Sequence, residues 1–285
     1  MKIAVTAASG HLGANIVNAL LAFTCKKNVI ALARTPEKAA HLGVEVRSGD
    51  YENMAQLLQS LQGVDTLLLV SGMDEPSKRI GQHRNVINAA KQAGVKKIVY
   101  TSIQGAEEGN AFSPVVQSNR QTEKDIITSG LEWVIGRNGI YIEPDIEYIE
   151  NYKEVGYVSN CADKGLCGYT THQELAYAYA RMLSEDKHHG KIYNLHGEPI
   201  SQQKLTDYLN TTFDAQLTYQ SMSVEEYRQS RCAQLGDFLG SIIAGIYQGI
   251  REGKINNPSH FLQASGREHQ RWDEFFTHLK EKTVK

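Results

Sequence analysis

Residues 2–17 read KIAVTAASGHLGANIV. An apolar run, Lys2–Thr6, enters a turn of small residues, Ala7-Ala8-Ser9-Gly10, and leaves it in an amphipathic stretch, His11–Phe23. Leu12, Ile16, Ala19, Leu20 and Phe23 share one helical face of that stretch. A helix that starts in this way has N–H groups without partners in its first turn, and they carry partial positive charge. Such a turn can seat a diphosphate. In the familiar glycine spacing, one residue permits the tight turn, one lets phosphate approach, and one lets helix and strand pack closely. Gly10 and Gly13 supply the last two here, and Ala7 takes the first place. Alanine disfavours positive φ but is the smallest alternative to glycine, and many turns of this kind do not demand positive φ. Thr6 and Ser9 are expected to add hydroxyl donors near the phosphates.

Taken alone, the turn is also compatible with a structural strand-to-helix corner. Its setting decides between the two. Short apolar runs recur at Asn28–Ala33, Val44–Ser48, Asp65–Ser71, Lys97–Ser102 and Glu132–Arg137, and they read as buried strands. Helical patterns separate them: a short one from Pro36 closed by Gly43, then Asn53–Leu61, Ser77–Ala93 closed by Gly94, and Gln117–Ser129 followed by Gly130. The alternation predicts an α/β fold, a doubly wound parallel sheet of Rossmann type. After that the pattern changes. Thr171–Leu183, Gln203–Asn210, Val224–Leu235 and Phe238–Arg251 read as helices, and Lys191–Leu195 as one more strand. Trp272, Phe275, Phe276 and Leu279 recur at helical spacing and are expected to anchor the C-terminal end. The division expected is a dinucleotide-binding domain over 1–200 and a smaller α-rich cap over 201–285, with part of 140–170 contributing to the cleft.

The end of the second strand selects the nucleotide. An acidic side chain there would bind the ribose hydroxyls of NAD, whereas Arg34 stands in NVIALARTPEK with no carboxylate before Glu37. A guanidinium pairs bidentately with phosphate, so Arg34 predicts NADP(H). Asp50, in VRSGDYEN, suits two roles equally: acceptor from the adenine amino group, or N-cap of the Asn53 helix.

The bulk properties exclude other classes. With 285 residues, 41% of them apolar, the chain can bury a large core, and a net charge of −2 gives no footprint for nucleic acid. The N-terminus carries no secretory pattern. No stretch reaches the roughly 20 apolar residues of a membrane span. FLGSIIAGIYQGI, Phe238–Ile250, comes nearest and is broken by three glycines; it faces the core, the substrate or another copy of the chain. Four scattered cysteines, with no CxxC pair, read as free thiols in a cytoplasmic protein. No metal site is expected: His188-His189 reads as a solvated loop, as does Glu107-Glu108.

The pieces AVTAASGHLGANIV, VIALARTPEKA, GVDTLLLVSG, QHRNVINAAKQAGVKKIVYTS, QTEKDIITSGLEWVIGRNGIYIE and GKIYNLHGEPIS cover most of residues 1–200. In kind and order they resemble the NmrA-like group of atypical short-chain dehydrogenases/reductases, nearest to the bacterial NAD(P)H:quinone oxidoreductases of type 2. The likeness is looser past residue 200. It implies NADPH held by Ala7, Ala8, Ser9, Gly10, His11 and Leu12 and by Arg34. It also places Ser71, Gly72 and Met73 beside the cofactor. It sets Asn138, Gly139, Ile140, Tyr141, Ile142 and Glu143 against nicotinamide and substrate. His172 stands where relatives commonly carry arginine, which puts a phosphate contact there in question.

The wider superfamily protonates a carbonyl with a Tyr-x-x-x-Lys pair. The matching positions here, counted back from Glu123, are Val115 and Asn119, and only Ser102 of that constellation remains. Ketone reduction benefits greatly from a general acid. Hydride delivered to a quinone gives a delocalised, weakly basic anion, so a modest donor is enough. The expected activity is therefore NADPH-dependent reduction of a quinone or similar flat acceptor by direct hydride transfer. Tyr141 is the candidate donor and Asn138 the positioning residue. The alternative is a non-catalytic NADP(H) sensor that regulates a partner; a nucleotide-sugar epimerase would want the absent pair. The physiological acceptor and the oligomeric state, including a homo-oligomer, stay open.

Overall fold

The computed structural model describes residues 1–283. Seven strands form one parallel sheet: β1 (Ile3–Val5), β2 (Val29–Ala33), β3 (Glu45–Ser48), β4 (Thr66–Val70), β5 (Lys97–Ile103), β6 (Glu132–Asn138) and β7 (Lys191–Leu195). Their spatial order is β7-β6-β5-β4-β1-β2-β3. The order reverses between β1 and β4, and ligands of such sheets bind at the carboxyl ends of the strands flanking that point.

The central strands β1, β2 and β4 are buried along their whole length because both faces are covered, whereas the edge strand β3 is partly exposed. Alternate residues go to opposite layers. Ile3, Val5, Val29, Ala31, Leu68 and Val70 pack under helices α1 (His11–Leu20) and α7 (His172–Ser184). Ala4, Ile30, Leu32, Leu67 and Leu69 pack under α2 (Met54–Ser60) and α3 (Pro76–Ala93). The last helix of that layer, α4 (Ser113–Ile127), starts one turn earlier than its apolar pattern suggests, with a proline in its first turn. The Pro36 segment is a 3₁₀ stretch, Pro36–Leu42, closed by Gly43 at φ +66°.

A third core forms beside the sheet. Ile142, Ile149, Val158 and Tyr169 join Leu205, Leu209, Ile250, Trp272 and Phe276. It contains α5 (Glu143–Glu147), α6 (Ile149–Val155), α8 (Gln202–Phe213), α10 (Asp237–Arg251) and α12 (Trp272–Thr283). The C-terminal aromatics do anchor the chain: Phe276 stacks on Tyr208 at 4.7 Å, and the Trp272 indole N–H donates to the Glu198 carbonyl. Between these elements, α9 (Val224–Leu235) packs on α10, and α11 (Phe261–Ser265) returns to the sheet layer against α7.

The 238–250 segment is α10. Ile242 and Ile246 lie on Phe112, Val115 and Val116, and Gly245 is so close to the Phe112 backbone that a Cβ would come within 2.4 Å of its nitrogen. Much of the helix therefore serves the core, while Phe238 and Leu239 at its start remain exposed. Among the described residues no helix is long and apolar enough to cross a membrane, and all four cysteines are free. No cluster of metal-ligating side chains occurs among those residues. Contrary to the solvated-loop expectation, His188 is buried between the Tyr193 hydroxyl and Glu185; His189 beside it is exposed.

Candidate cofactor and active site

The turn after β1 lies at the reversal point. Ala7 adopts φ +47°, so this turn does require the left-handed region, against the sequence expectation. An L-residue there costs roughly 1–2 kcal/mol. Gly13 follows the packing role assigned to it: a Cβ would stand 2.4 Å from the Ala7 carbonyl oxygen. Ser9, Gly10 and His11 are exposed, at the N-terminus of α1. The Gly10 N–H bonds back to Ala7, and the Ala8 N–H is taken by the Leu32 carbonyl. The side chains of Ala8 and Leu12 are buried in the core, and the N–H groups of the first helical turn have no partner within the helix.

Thr6 is fully buried and does not face phosphate. Its Oγ1 accepts from the Val70 N–H at 2.9 Å and meets the Tyr51 hydroxyl, which also reaches the Val70 carbonyl. The hydroxyl instead ties β1 to β4. Asp50 is not the N-cap of α2. Asn53 is, accepting from Gln56 N, while Asp50 Oδ1 accepts from Glu52 N in an Asx turn. Arg34 is exposed after β2, and the Asp74 carboxylate lies within its electrostatic reach. Asp74 is itself held by Gln82 and Lys78.

After β4, Ser71 Oγ bonds Asn119 Oδ1 at 3.1 Å, and Met73 is 89% exposed. The Gly72 N–H donates to His83 Nε2 at 3.0 Å, and His83 Nδ1 faces Thr122 Oγ1 at 2.9 Å. Burial, with Arg79 nearby, pushes His83 down to about 3, so it stays neutral. The backbone donor at Nε2 then requires the proton on Nδ1. Sequence reading missed this histidine, although it lies inside the QHRN stretch.

Where a lysine would stand in the wider superfamily, Asn119 is buried. Its Oδ1 also accepts from the Tyr100 hydroxyl at 2.7 Å, and its Nδ2 donates to the Val115 carbonyl. Ser102 is equally committed. Its hydroxyl bonds Glu123 Oε1 and receives Arg120 Nη1 at 3.2 Å. Glu123 in turn is held by Arg120 and Arg137, at 2.7 and 2.6 Å. Burial opposes the Glu123 charge, yet the two guanidiniums hold its carboxyl below the usual range. A serine bound this way has no proton to offer a substrate.

Asn138 ends β6, buried. Its Oδ1 accepts from the Tyr179 hydroxyl at 2.6 Å, and its Nδ2 donates to the Tyr141 hydroxyl at 3.3 Å. Tyr179 reaches this place because position 136 is glycine; a Cβ there would lie 2.3 Å from its hydroxyl. The Tyr141 oxygen accepts from Asn138, and its own proton has no acceptor among the described residues. Burial pushes the Tyr141 hydroxyl up, so that proton is retained at neutral pH. Ile140–Tyr141 pairs with Tyr169–Thr170, and Gly139 passes so close to Gly168 that no Cβ fits. Ile142 turns away into the third core, fully buried. Glu143 Oε1 accepts from both the backbone N–H and the ring Nδ1 of His172, at 2.7 and 3.1 Å. The His172 ring packs 4.4 Å from Tyr141 and 5.9 Å from His11. Turn, tyrosine and both histidines thus share one locus.

The NAD(P)H-binding family matches residues 7–158. Quinone oxidoreductase 2 of Escherichia coli strain K12 is 35% identical over 267 residues, 91% of this chain and 92% of the relative. The crystal structure of the E. coli NADPH-dependent quinone oxidoreductase complexed with NADPH superposes with a TM-score of 0.89 at 33% identity, covering 97% of this chain and 99% of that one. Triphenylmethane reductase of Citrobacter sp., complexed with NADP(H), gives a TM-score of 0.88 at 32% identity, covering 98% and 100%. An NmrA-like family domain-containing oxidoreductase of Aspergillus flavus is 30% identical over 235 residues, 80% of this chain and 76% of the relative. This chain belongs to the NAD(P)H-binding family, as an NmrA-like oxidoreductase.

Proposed function

We propose that the protein reduces quinones, or similarly flat conjugated acceptors, with NADPH and without a dedicated acid pair. The observation that carries this reading is the committed state of Ser102 and Asn119, together with a tyrosine, Tyr141, whose proton has no acceptor among the described residues. The residues fit the cofactor. Gly13 keeps the turn open, the first turn of α1 presents N–H donors, and the exposed Arg34 suits the 2′-phosphate. NADPH, when bound, supplies a hydride. The chain's part is to hold the acceptor flat at the cleft and donate a weak hydrogen bond from Tyr141, which Asn138 and Tyr179 keep in place. Hydride plus one proton converts a quinone to a hydroquinone; the oxyanion is delocalised, so solvent can complete protonation.

The relatives support the acceptor class. One carries quinone oxidoreductase in its name, the other triphenylmethane reductase. A triphenylmethyl cation becomes neutral on taking hydride and needs no proton at all. Both acceptors suit a site with no strong acid. We further propose that residues 140–170 and 201–285 together build the acceptor side of the cleft.

The test is NADPH oxidation by purified, flavin-free protein with benzoquinones and naphthoquinones. Turnover above background is expected, and Tyr141→Phe should lower kcat only modestly, by less than the roughly 100-fold typical of losing a true general acid. Absence of turnover, or specific retention of a partner protein with NADP⁺ but no reduction, overturns the proposal in favour of a sensor.

A further inference from the structure

His11 and His172 are far apart in the chain, yet each is the first residue of a helix, α1 and α7, and their rings face each other at 5.9 Å. His11 is exposed, and its ring makes no hydrogen bond among the described residues. His172 is anchored. Its Nδ1 and its backbone N–H both meet Glu143 Oε1, which turns the opposite ring edge, Nε2, away from the carboxylate. The second Glu143 oxygen has no hydrogen-bond partner among the described residues. The pair therefore flanks the turn to which the cofactor reading assigns the diphosphate, with the Glu143 carboxylate behind it.

We propose that His11 and His172 act as a protonatable clamp on the diphosphate, so that dinucleotide binding draws a proton onto the pair. This rests on the cofactor reading above. The charged and titratable groups facing the rings are Glu143 and Tyr141, besides each other. Glu174, on the same helix as His172, is already paired with Arg267. A neutral His172 that donates through Nδ1 to Glu143 presents a lone pair at Nε2 to the phosphates. An imidazolium keeps the Glu143 bond and donates from Nε2 as well, and it cancels the carboxylate's repulsion. An anion brought up to an imidazole favours its charged form, which is the basis of the clamp. The sign is fixed: the clamp is charged at low pH and is lost as pH rises. An arginine at position 172 would hold the same phosphate at every pH.

Isothermal titration separates this from other effects. NADPH itself gains charge on its 2′-phosphate near pH 6, which strengthens binding to Arg34 as pH rises and masks the clamp. NADH lacks that group and carries the same diphosphate. With NADH, Kd is expected to rise about tenfold from pH 6 to pH 8, and about half a proton or more to be taken up at pH 7. Proton uptake is read from the dependence of the heat on buffer ionisation enthalpy. The H11Q/H172Q double variant should lose both the slope and the uptake. H172R should bind NADH tightly and with little dependence on pH. A wild-type NADH affinity that is flat with pH, or a double variant that keeps the wild-type slope, overturns the clamp. Failure of both dinucleotides to bind at any pH would instead overturn the cofactor reading.

Discussion

Ala7 offers a test of the turn that can be worked through in numbers. Its φ of +47° is the left-handed conformation, which costs an L-residue roughly 1–2 kcal/mol. Ala7→Gly removes that cost. Against it stand the larger freedom of glycine in the unfolded chain, about 0.4–1 kcal/mol, and the loss of a half-buried methyl, about 0.4 kcal/mol. The net change is close to zero or stabilising by up to about 1 kcal/mol. Ala8 is the control. It is fully buried, and its φ is not positive. Ala8→Gly takes the entropy and burial losses with no strain to relieve, about 1.5 kcal/mol in total. Urea denaturation should therefore separate the two variants by about 2 kcal/mol in favour of Ala7→Gly. NADPH affinity of Ala7→Gly should stay within about twofold of wild type, because the turn already has the geometry that glycine prefers. Equal destabilisation by the two substitutions would refute the strain assigned to this turn.

Arg34→Ala should weaken NADPH about 10- to 100-fold, the share of a charged phosphate contact, and NADH hardly at all; fluorescence titration of both reads the difference. Tyr179→Phe leaves the buried Asn138 Oδ1 without its Tyr179 donor and should cost about 1–3 kcal/mol in urea. If its effect on kcat passes through Tyr141, it should add nothing in a Tyr141→Phe background. Glu123 is held below the usual carboxylate range, so its stabilising share is present above the unfolded value of about 4.3 and is lost as pH falls. Glu123→Gln, which strands Arg120 and Arg137, should be clearly less stable than wild type at pH 7. The two unfolding curves should converge as pH drops through 4; a constant gap down to pH 3 would contradict the ion-pair network.

Local patterns made the fold legible. Six short runs became β1 to β6 within one or two residues, and β7 fell on Lys191–Leu195 as read. Gly43 and Gly94 ended their segments at positive φ because only glycine adopts it without cost. The strand-turn-helix corner and the place of Arg34 just after β2 were equally legible, since those elements are contiguous in the chain. The short helices α5 and α6 escaped because five to seven residues show too little periodicity to register.

What the sequence alone settled, then, was the doubly wound sheet and a dinucleotide-binding family, because the patterns behind both follow from neighbours in the chain. Where each polar side chain turns was decided only by tertiary packing. Thr6 went to Val70 and Tyr51 rather than to phosphate, and Ser102 went to Glu123. Asn138 was fixed by Tyr179 from α7, and His11 at the start of α1 met His172 at the start of α7. Those choices depend on which buried donor finds which acceptor across distant elements, and residue spacing along a chain carries no such information.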